Sequence, residues 1–392
     1  MKSVSIALFA GIIGCAFVQP VPAAEAATYN ENVLYSFCSQ PDCTDGQWPD
    51  AGLIDAQGTL YGTTVFGGAS GSGSVFAVNA DTGSETVLYS FTGGTDGALP
   101  EASLIDVKGT LYGTTSQGGQ SGEGTVFSVD PNTGVETVLH SFGGGSDGAY
   151  VLAGVISVKG ILYGTTFDGG TGCGTGSGGC GIVFSVDPAT GAETVLHTFG
   201  ISAYDGEWPD AGVIALKSKL YGTTREGGYY GDGTIFSLDL RTGDEKALYS
   251  FCPQSGCPDG AWPQAGLVEV NGVLYGTTVY GGGSGCRNGP PGCGTVFAFD
   301  PDTNAENVLY AFSAATAHPG AMIGMKGTLY GTTSTGVIFS IDTATDAEKV
   351  LYSFGSSAGP SGVIDVKHVL YGTTMMGGGN DGGTVFALER TR

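Results

Sequence analysis

The residues best suited to chemistry in this chain are carboxylates and indoles that recur together. Asp-Gly occurs at Asp45, Asp96, Asp147, Asp205 and Asp259, and three of these stretches run on to Trp-Pro at Trp48, Trp208 and Trp262, which account for all three tryptophans. Indole faces beside carboxylates suit sugar rings, whose CH faces pack on the indole while their hydroxyls donate to oxygen acceptors. The plainer reading, preferred for most copies, is that Asp-Gly shapes a turn and Trp-Pro wedges neighbouring elements, because a repeated feature usually has a repeated structural job. Departures from the repetition are better site candidates. Arg225, Glu226, Tyr229, Tyr230 and Asp232 gather a cation, acids and two aromatics in one stretch. Arg287 lies between Cys286 and Cys293, and His318-Pro319 stands where Asp-Gly is expected, ahead of a shortened Ser334-Thr335 loop. For each, drift in a tolerant surface loop competes with function.

Catalytic signatures are sparse. His140 and His197 replace a recurring tyrosine and read as strand side chains, and His368 falls in a tight turn. There is no Gly-x-Ser-x-Gly elbow, His-Glu-x-x-His helix, phosphate-binding loop or calcium loop. Catalytic residues are therefore unassigned. Single scattered aspartates are a weak metal signal, so neither a metal nor a cofactor is expected.

The elements that must position these residues come from a repeated phrase. VLYSF-like runs begin at Val33, Val87, Val138, Val195, Ala247, Val308 and Val350, and Tyr-Gly-Thr-Thr begins at Tyr61, Tyr112, Tyr163, Tyr221, Tyr275, Tyr330 and Tyr371. Gly-Thr-Val-Phe and its variants begin at Gly73, Gly124, Gly181, Gly233, Gly294, Gly336 and Gly383. Each unit holds four short apolar runs separated by turn residues, without helical spacing, which predicts a four-stranded antiparallel meander. Such a meander, apolar on both faces, must stack on copies of itself. The chain opens on VLYSF and closes after Gly-Thr-Val-Phe, so its incomplete ends make one whole unit. The expected fold is an all-β, seven-bladed β-propeller, closed when the N-terminal strand ending at Phe37 completes the last blade from Ser361 to Glu389. Small pairs such as Ala51-Gly52, Ala153-Gly154 and Ser361-Gly362 open the first strand of most units, which assigns that strand to the crowded axis. The loops after strands two and four then share one face, and it carries every long loop.

Residues 1–26 have the charged start, apolar run and small-residue cleavage site of an export signal, leaving one propeller domain over 27–392 with repeats from about 29 to 389. A lipoprotein box ending at Cys15 is the competing reading. No later stretch of the mature chain is apolar enough for a transmembrane helix. The net charge of -23 repels phosphate backbones and anionic lipid, which argues against nucleic-acid partners. The remaining cysteines form close pairs, Cys38 with Cys43, Cys173 with Cys180, Cys252 with Cys257 and Cys286 with Cys293. Zinc knuckle spacing is missing, so local disulfides in an oxidising compartment are expected, each worth about 2 kcal/mol as a loop closure.

The consensus LYGTTxxGGxxGxGTVFxxDxxTGxExVLYSF resembles the bacterial GloVer tandem repeat, named for Gloeobacter and Verrucomicrobia, over nearly the whole mature chain. Its strand and glycine order is also similar to Kelch repeats, with Gly-Thr-Thr in place of the Kelch double glycine and the Leu-Tyr of VLYSF in place of its tryptophan. The resemblance implies an exported propeller of largely unassigned function, often surface-attached by a separate C-terminal anchor. Here Arg392 follows directly on the last strand, so release or periplasmic residence of a monomer is expected. The leading reading is a secreted or periplasmic, non-catalytic scaffold that presents its loop-rich face to a glycan or an extracytoplasmic protein. The expected contacts are Asp45, Trp48, Asp205, Trp208, Asp259, Trp262, Arg225, Tyr229, Tyr230 and His318. The alternative is an extracellular polysaccharide lyase or glycoside hydrolase using Arg225, Tyr229, Tyr230 and His318.

Overall fold

A computed structural model of the chain describes residues 29–173, 178–283, 292–313, 316–355 and 359–391. Seven four-stranded antiparallel sheets follow one another along the chain. Blade 1 is Ile54–Ala56, Thr59–Thr64, Ser74–Asn79 and Glu85–Ser90; the later blades repeat the pattern, ending with blade 6 from Pro319–Met325 to Glu348–Ser353. Blade 7 takes Pro360–Val366, Val369–Thr374 and Thr384–Arg390 from one end of the chain and Tyr29–Ser36 from the other. Its seam pairs Tyr29 with Arg390, Asn32 with Ala387 and Ser36 with Thr384. The fold is the expected seven-bladed propeller, closed by its N-terminal strand.

The tight turns between first and second strands, except that of blade 4, use two residues of positive φ, such as Gln57 at 58° and Gly58 at 88°. This is the primed geometry that suits the right-handed twist of the strands. The Asp55 carboxylate accepts the Gly58 N–H at 2.9 Å, and His368 lies in the equivalent turn of blade 7 with φ 72°.

The repeated phrase is a set of connections between blades. Phe37 at the end of VLYSF meets Phe76 of Ser-Val-Phe edge-on at a centroid distance of 4.9 Å, and the same pairing recurs as Phe91 with Phe127 and as Phe354 with Phe386. Phe76 also explains the invariable glycine of Tyr-Gly-Thr-Thr. Gly62 faces Phe76 across the strands, and a Cβ on Gly62 would sit 2.6 Å from the Phe76 ring. The first threonine reaches the next blade: Thr63, Thr114, Thr165, Thr277 and Thr373 donate to the carbonyls of Ala102, Ala153, Ala211, Gly320 and Ala51. Thr373 to Ala51, at 2.8 Å, crosses the closure from blade 7 to blade 1. The second threonine, as in Thr64, donates to the Phe66 carbonyl two residues on and so turns the chain out of the strand.

Disulfides join Cys38 to Cys43, Cys173 to Cys180 and Cys252 to Cys257. Cys293 is also disulfide-bonded; its expected partner Cys286, with Arg287, lies outside the described residues, as does the export signal at 1–26. Among the described residues no helix is long and apolar enough to cross a membrane.

Candidate functional site

On the loop-rich face the two long loops of a blade are zipped together. Gln47 and Phe66 exchange backbone hydrogen bonds of 2.8 and 3.0 Å, as do Ala98 with Gln117, Ala149 with Asp168 and Ala261 with Tyr280. The next residue is Trp48, Leu99, Tyr150, Trp208, Trp262 or His318, and each adopts φ between 54° and 58°. Its N–H donates to the preceding blade: Trp48 to Gly382 at 2.8 Å, Trp208 to Cys180 at 2.9 Å, Trp262 to Asp232 at 3.0 Å and His318 to Cys293 at 2.9 Å. His318 therefore occupies the tryptophan position and does not replace Asp-Gly, which corrects the reading made from the sequence. Blade 6 has no Asp-Gly to mark its loop, and the proline after His318 matches the proline after each tryptophan.

The Asp-Gly aspartates are anchors. Asp45, Asp205 and Asp259 are 3%, 5% and 8% exposed. Asp45 accepts the Tyr35 hydroxyl and the Ser39 N–H, each at 2.8 Å. Asp259 likewise accepts the Tyr249 hydroxyl at 2.8 Å and the Cys252 N–H at 3.0 Å, and Asp205 accepts the Ile201 and Gly206 N–H groups. A glutamate from the outer strand of the next blade closes on each anchor. Burial pushes Glu85, Glu136 and Glu306 up to about 7, and the neighbouring Asp45, Asp96 and Asp259 charges push the same way.

The first strands enclose an axial cavity of about 600 Å³. Ala51-Gly52, Ala153-Gly154, Ala211-Gly212 and Ser361-Gly362 are in its wall, as their small size predicts, and Asp50, Glu101, Asp210, Gln264 and His318 also line it. The tryptophans stand one step back from the axis. Their positive φ turns the chain so that the residue two positions on, Asp50, Asp210 or Gln264, faces the channel. Burial pushes Asp210 up to about 6, while Arg225 and a hydrogen bond with Gln264 pull it down.

Among the residues expected to bind, the structure assembles two groups. The Arg225 guanidinium lies 4.8 Å from the Trp262 ring centroid. Trp262 meets Tyr280 edge-on at 5.1 Å, and Tyr280 meets His318 edge-on at 5.3 Å. This row crosses from blade 4 to blade 6. The His318 Nδ1 donates to the Val279 carbonyl at 2.8 Å, which fixes the ring. Further out, Tyr204 and Tyr229 stack at 5.3 Å with an interplanar angle of 12°, and Tyr230 abuts Tyr229 at 4.8 Å. All three tyrosines are exposed, Tyr204 at 61%, Tyr229 at 65% and Tyr230 at 46%. Tyr204 and Tyr280 went unnoticed in the sequence. Their signal was variation at a repeat position: Tyr280 shares its place with Phe66, Gln117, Asp168 and Glu226, and Tyr204 directly precedes an anchoring aspartate.

The remaining candidates are dispersed. Trp48 packs edge-on against Phe66 at 5.2 Å. Trp208 stacks on Phe167 at 6.4 Å and donates its indole N–H to the Gly179 carbonyl. Among the described residues no hydrogen bond or ring contact joins His318 to Tyr229 or Tyr230.

Ring closure, interblade phenylalanines and disulfide-pinned loops define a seven-bladed β-propeller repeat protein. The chain belongs to the Gloeobacter/Verrucomicrobia repeat family, whose model matches residues 22–177 and 170–386. No curated protein matches it in sequence. Among solved structures it is similar to the computationally designed Ika8 protein, at 14% identity and a TM-score of 0.50 over 86% of this chain and 96% of that one. It is also similar to the extracellular domain of the putative hybrid two component system BT3049 from B. thetaiotaomicron, at 13% identity and a TM-score of 0.55 over 88% of this chain and 40% of that one. At these identities the likeness concerns the fold alone.

Proposed function

We propose that this protein is an exported binding propeller, without a catalytic role of its own, that presents its loop-rich face to an extracytoplasmic ligand, with glycans favoured. The observation that carries the reading is the exposed tyrosine shelf of Tyr204, Tyr229 and Tyr230, in which the Tyr204 and Tyr229 rings are parallel. Exposed aromatic planes flanked by polar groups are suited to the CH faces of sugars. Trp262, held beneath Arg225, donates its backbone N–H to the carbonyl of Asp232, two residues beyond Tyr230. The disulfides of the loops support an oxidising compartment, and export through a cleaved 1–26 segment fits the same compartment.

The test is a glycan array and an affinity pull-down with the wild-type chain, the Tyr204→Ala/Tyr229→Ala variant and Trp262→Ala. Loss of the shelf should weaken glycan binding about tenfold or more, as expected for aromatic rings that a bound ligand covers. Unchanged binding in both variants would remove the proposed surface, and a protein partner captured without any glycan signal would replace glycan with protein as the ligand.

A further inference from the structure

A seam of the same design recurs between blades, and two of its copies carry a different chemistry. An aromatic residue of one outer strand, the aspartate of the loop that follows, and a glutamate of the next outer strand converge at five places. Tyrosine fills the aromatic position at Tyr35, Tyr89 and Tyr249, and its hydroxyl donates to Asp45, Asp96 and Asp259 at 2.8, 2.9 and 2.8 Å. Histidine fills it at His140 and His197. One phenol proton satisfies one carboxylate oxygen, whereas an imidazole nitrogen beside two carboxylates is a metal-ligand set.

At the blade 3 to blade 4 seam, the ligand atoms of His197, Asp205 and Glu245 all lie within 4.8 Å of one another. His197 Nε2 is 3.4 Å from Asp205 Oδ1 and 3.8 Å from Glu245 Oε2. Bonds of about 2.0–2.2 Å from a tetrahedral cation place neighbouring ligand atoms roughly 3.3–3.6 Å apart, close to these spacings. The set is enclosed, with the side chains of His197, Asp205 and Glu245 exposed by only 10%, 3% and 11%. It is also oriented from outside: Asp205 accepts two backbone N–H groups, and the His197 ring abuts Phe199 at 4.8 Å. Such supports are what hold metal ligands in place. His197 Nε2 and Asp205 Oδ1 share a hydrogen bond, while Glu245 Oε1 is buried without a hydrogen-bond partner, as are the equivalent Oε1 atoms of Glu85, Glu136 and Glu306 at the tyrosine seams. The preceding seam repeats the pattern with His140, Asp147 and Glu193. There His140 Nε2 is buried without a hydrogen-bond partner, 3.3 Å from Asp147 Oδ1, and the His140 and Asp147 side chains are more open at 17% and 32% exposed.

We propose that the blade 3 to blade 4 seam binds a first-row divalent cation, with Zn²⁺ the best match, on His197 Nε2 and one oxygen each of Asp205 and Glu245, and that the seam of His140, Asp147 and Glu193 holds a second ion in a more open site. Each ion ties two consecutive blades together. The cations act as interblade staples, independent of the ligand bound on the loop face.

The test uses the full exported chain with its disulfides intact, stripped by EDTA and dialysed against Zn²⁺ in the presence of excess Ca²⁺ to occupy carboxylate-only sites. Tyrosine already fills this position in the other blades, so His140→Tyr and His197→Tyr should fold, which zinc-free melting checks. Wild type should bind two equivalents, each single variant one, and the double variant none, and zinc should raise the melting temperature of wild type but not of the double variant. Glu245→Gln, which keeps the histidine, should also remove the ion of its seam. Absence of zinc binding by wild type at micromolar concentrations, or undiminished binding by the double variant, would overturn the proposal.

Discussion

The threonine links between blades allow a comparison in which one substitution at equivalent positions should have different effects. Thr373 donates to the Ala51 carbonyl at 2.8 Å across the ring closure, and Thr114 and Thr165 donate to Ala153 and Ala211 at 3.0 and 2.9 Å. Thr223 holds the same place in blade 4 and is 1% exposed, yet its hydroxyl has no hydrogen-bond partner. Valine matches threonine in shape without the hydroxyl. In Thr373→Val the Ala51 carbonyl loses its buried donor, a loss of about 1–3 kcal/mol. In Thr223→Val the substitution removes a buried polar atom that is already unsatisfied, so stability should hold or rise by up to about 1–2 kcal/mol. Urea unfolding with the disulfides intact reads both values, with Thr114→Val and Thr165→Val expected to follow Thr373→Val. Equal destabilisation of Thr223→Val and Thr373→Val would refute the idea that the first threonine acts through its bond to the next blade.

Gly62→Ala should destabilise by about 1–3 kcal/mol, measured by the same unfolding, because its Cβ would meet the Phe76 ring at 2.6 Å and overpacked cores yield at about that cost. Stability should also depend on pH. Glu85, Glu136 and Glu306 have folded-state pKa values near 7, above the ordinary glutamate value, so their contribution is complete below about pH 4.5 and is lost as pH rises toward 7. With allowance for solvent contact, the loss should be about 1 kcal/mol per glutamate. Glu85→Gln and Glu306→Gln should each flatten that slope, and a slope unchanged in both would contradict the seam assignment.

The ring was legible because its signals are local and repeated. Val33 and Gly383 start and finish different parts of one phrase, which requires the ends to meet, and Ala51-Gly52 and its counterparts mark the axis by size alone. The site was legible only in part. Arg225, Trp262 and His318 were singled out, but the Tyr280 ring that joins two of them lies at a position filled elsewhere by Phe66, Gln117 and Asp168. The anchors were hidden for a different reason. Asp45 and Glu85 belong to consecutive blades, and nothing at either position in the sequence announces the other. His140 and His197 read as ordinary strand residues until the fold set a second carboxylate against each.

Amide hydrogen exchange of the N-terminal strand tests the closed ring most directly. The amides of Tyr29–Ser36 that pair with Thr384–Arg390 should exchange only through global unfolding, with protection equal to that of the outer strands of the other blades. Rapid exchange of this strand while the other blades stay protected would contradict the closure on which the loop face and its seams depend.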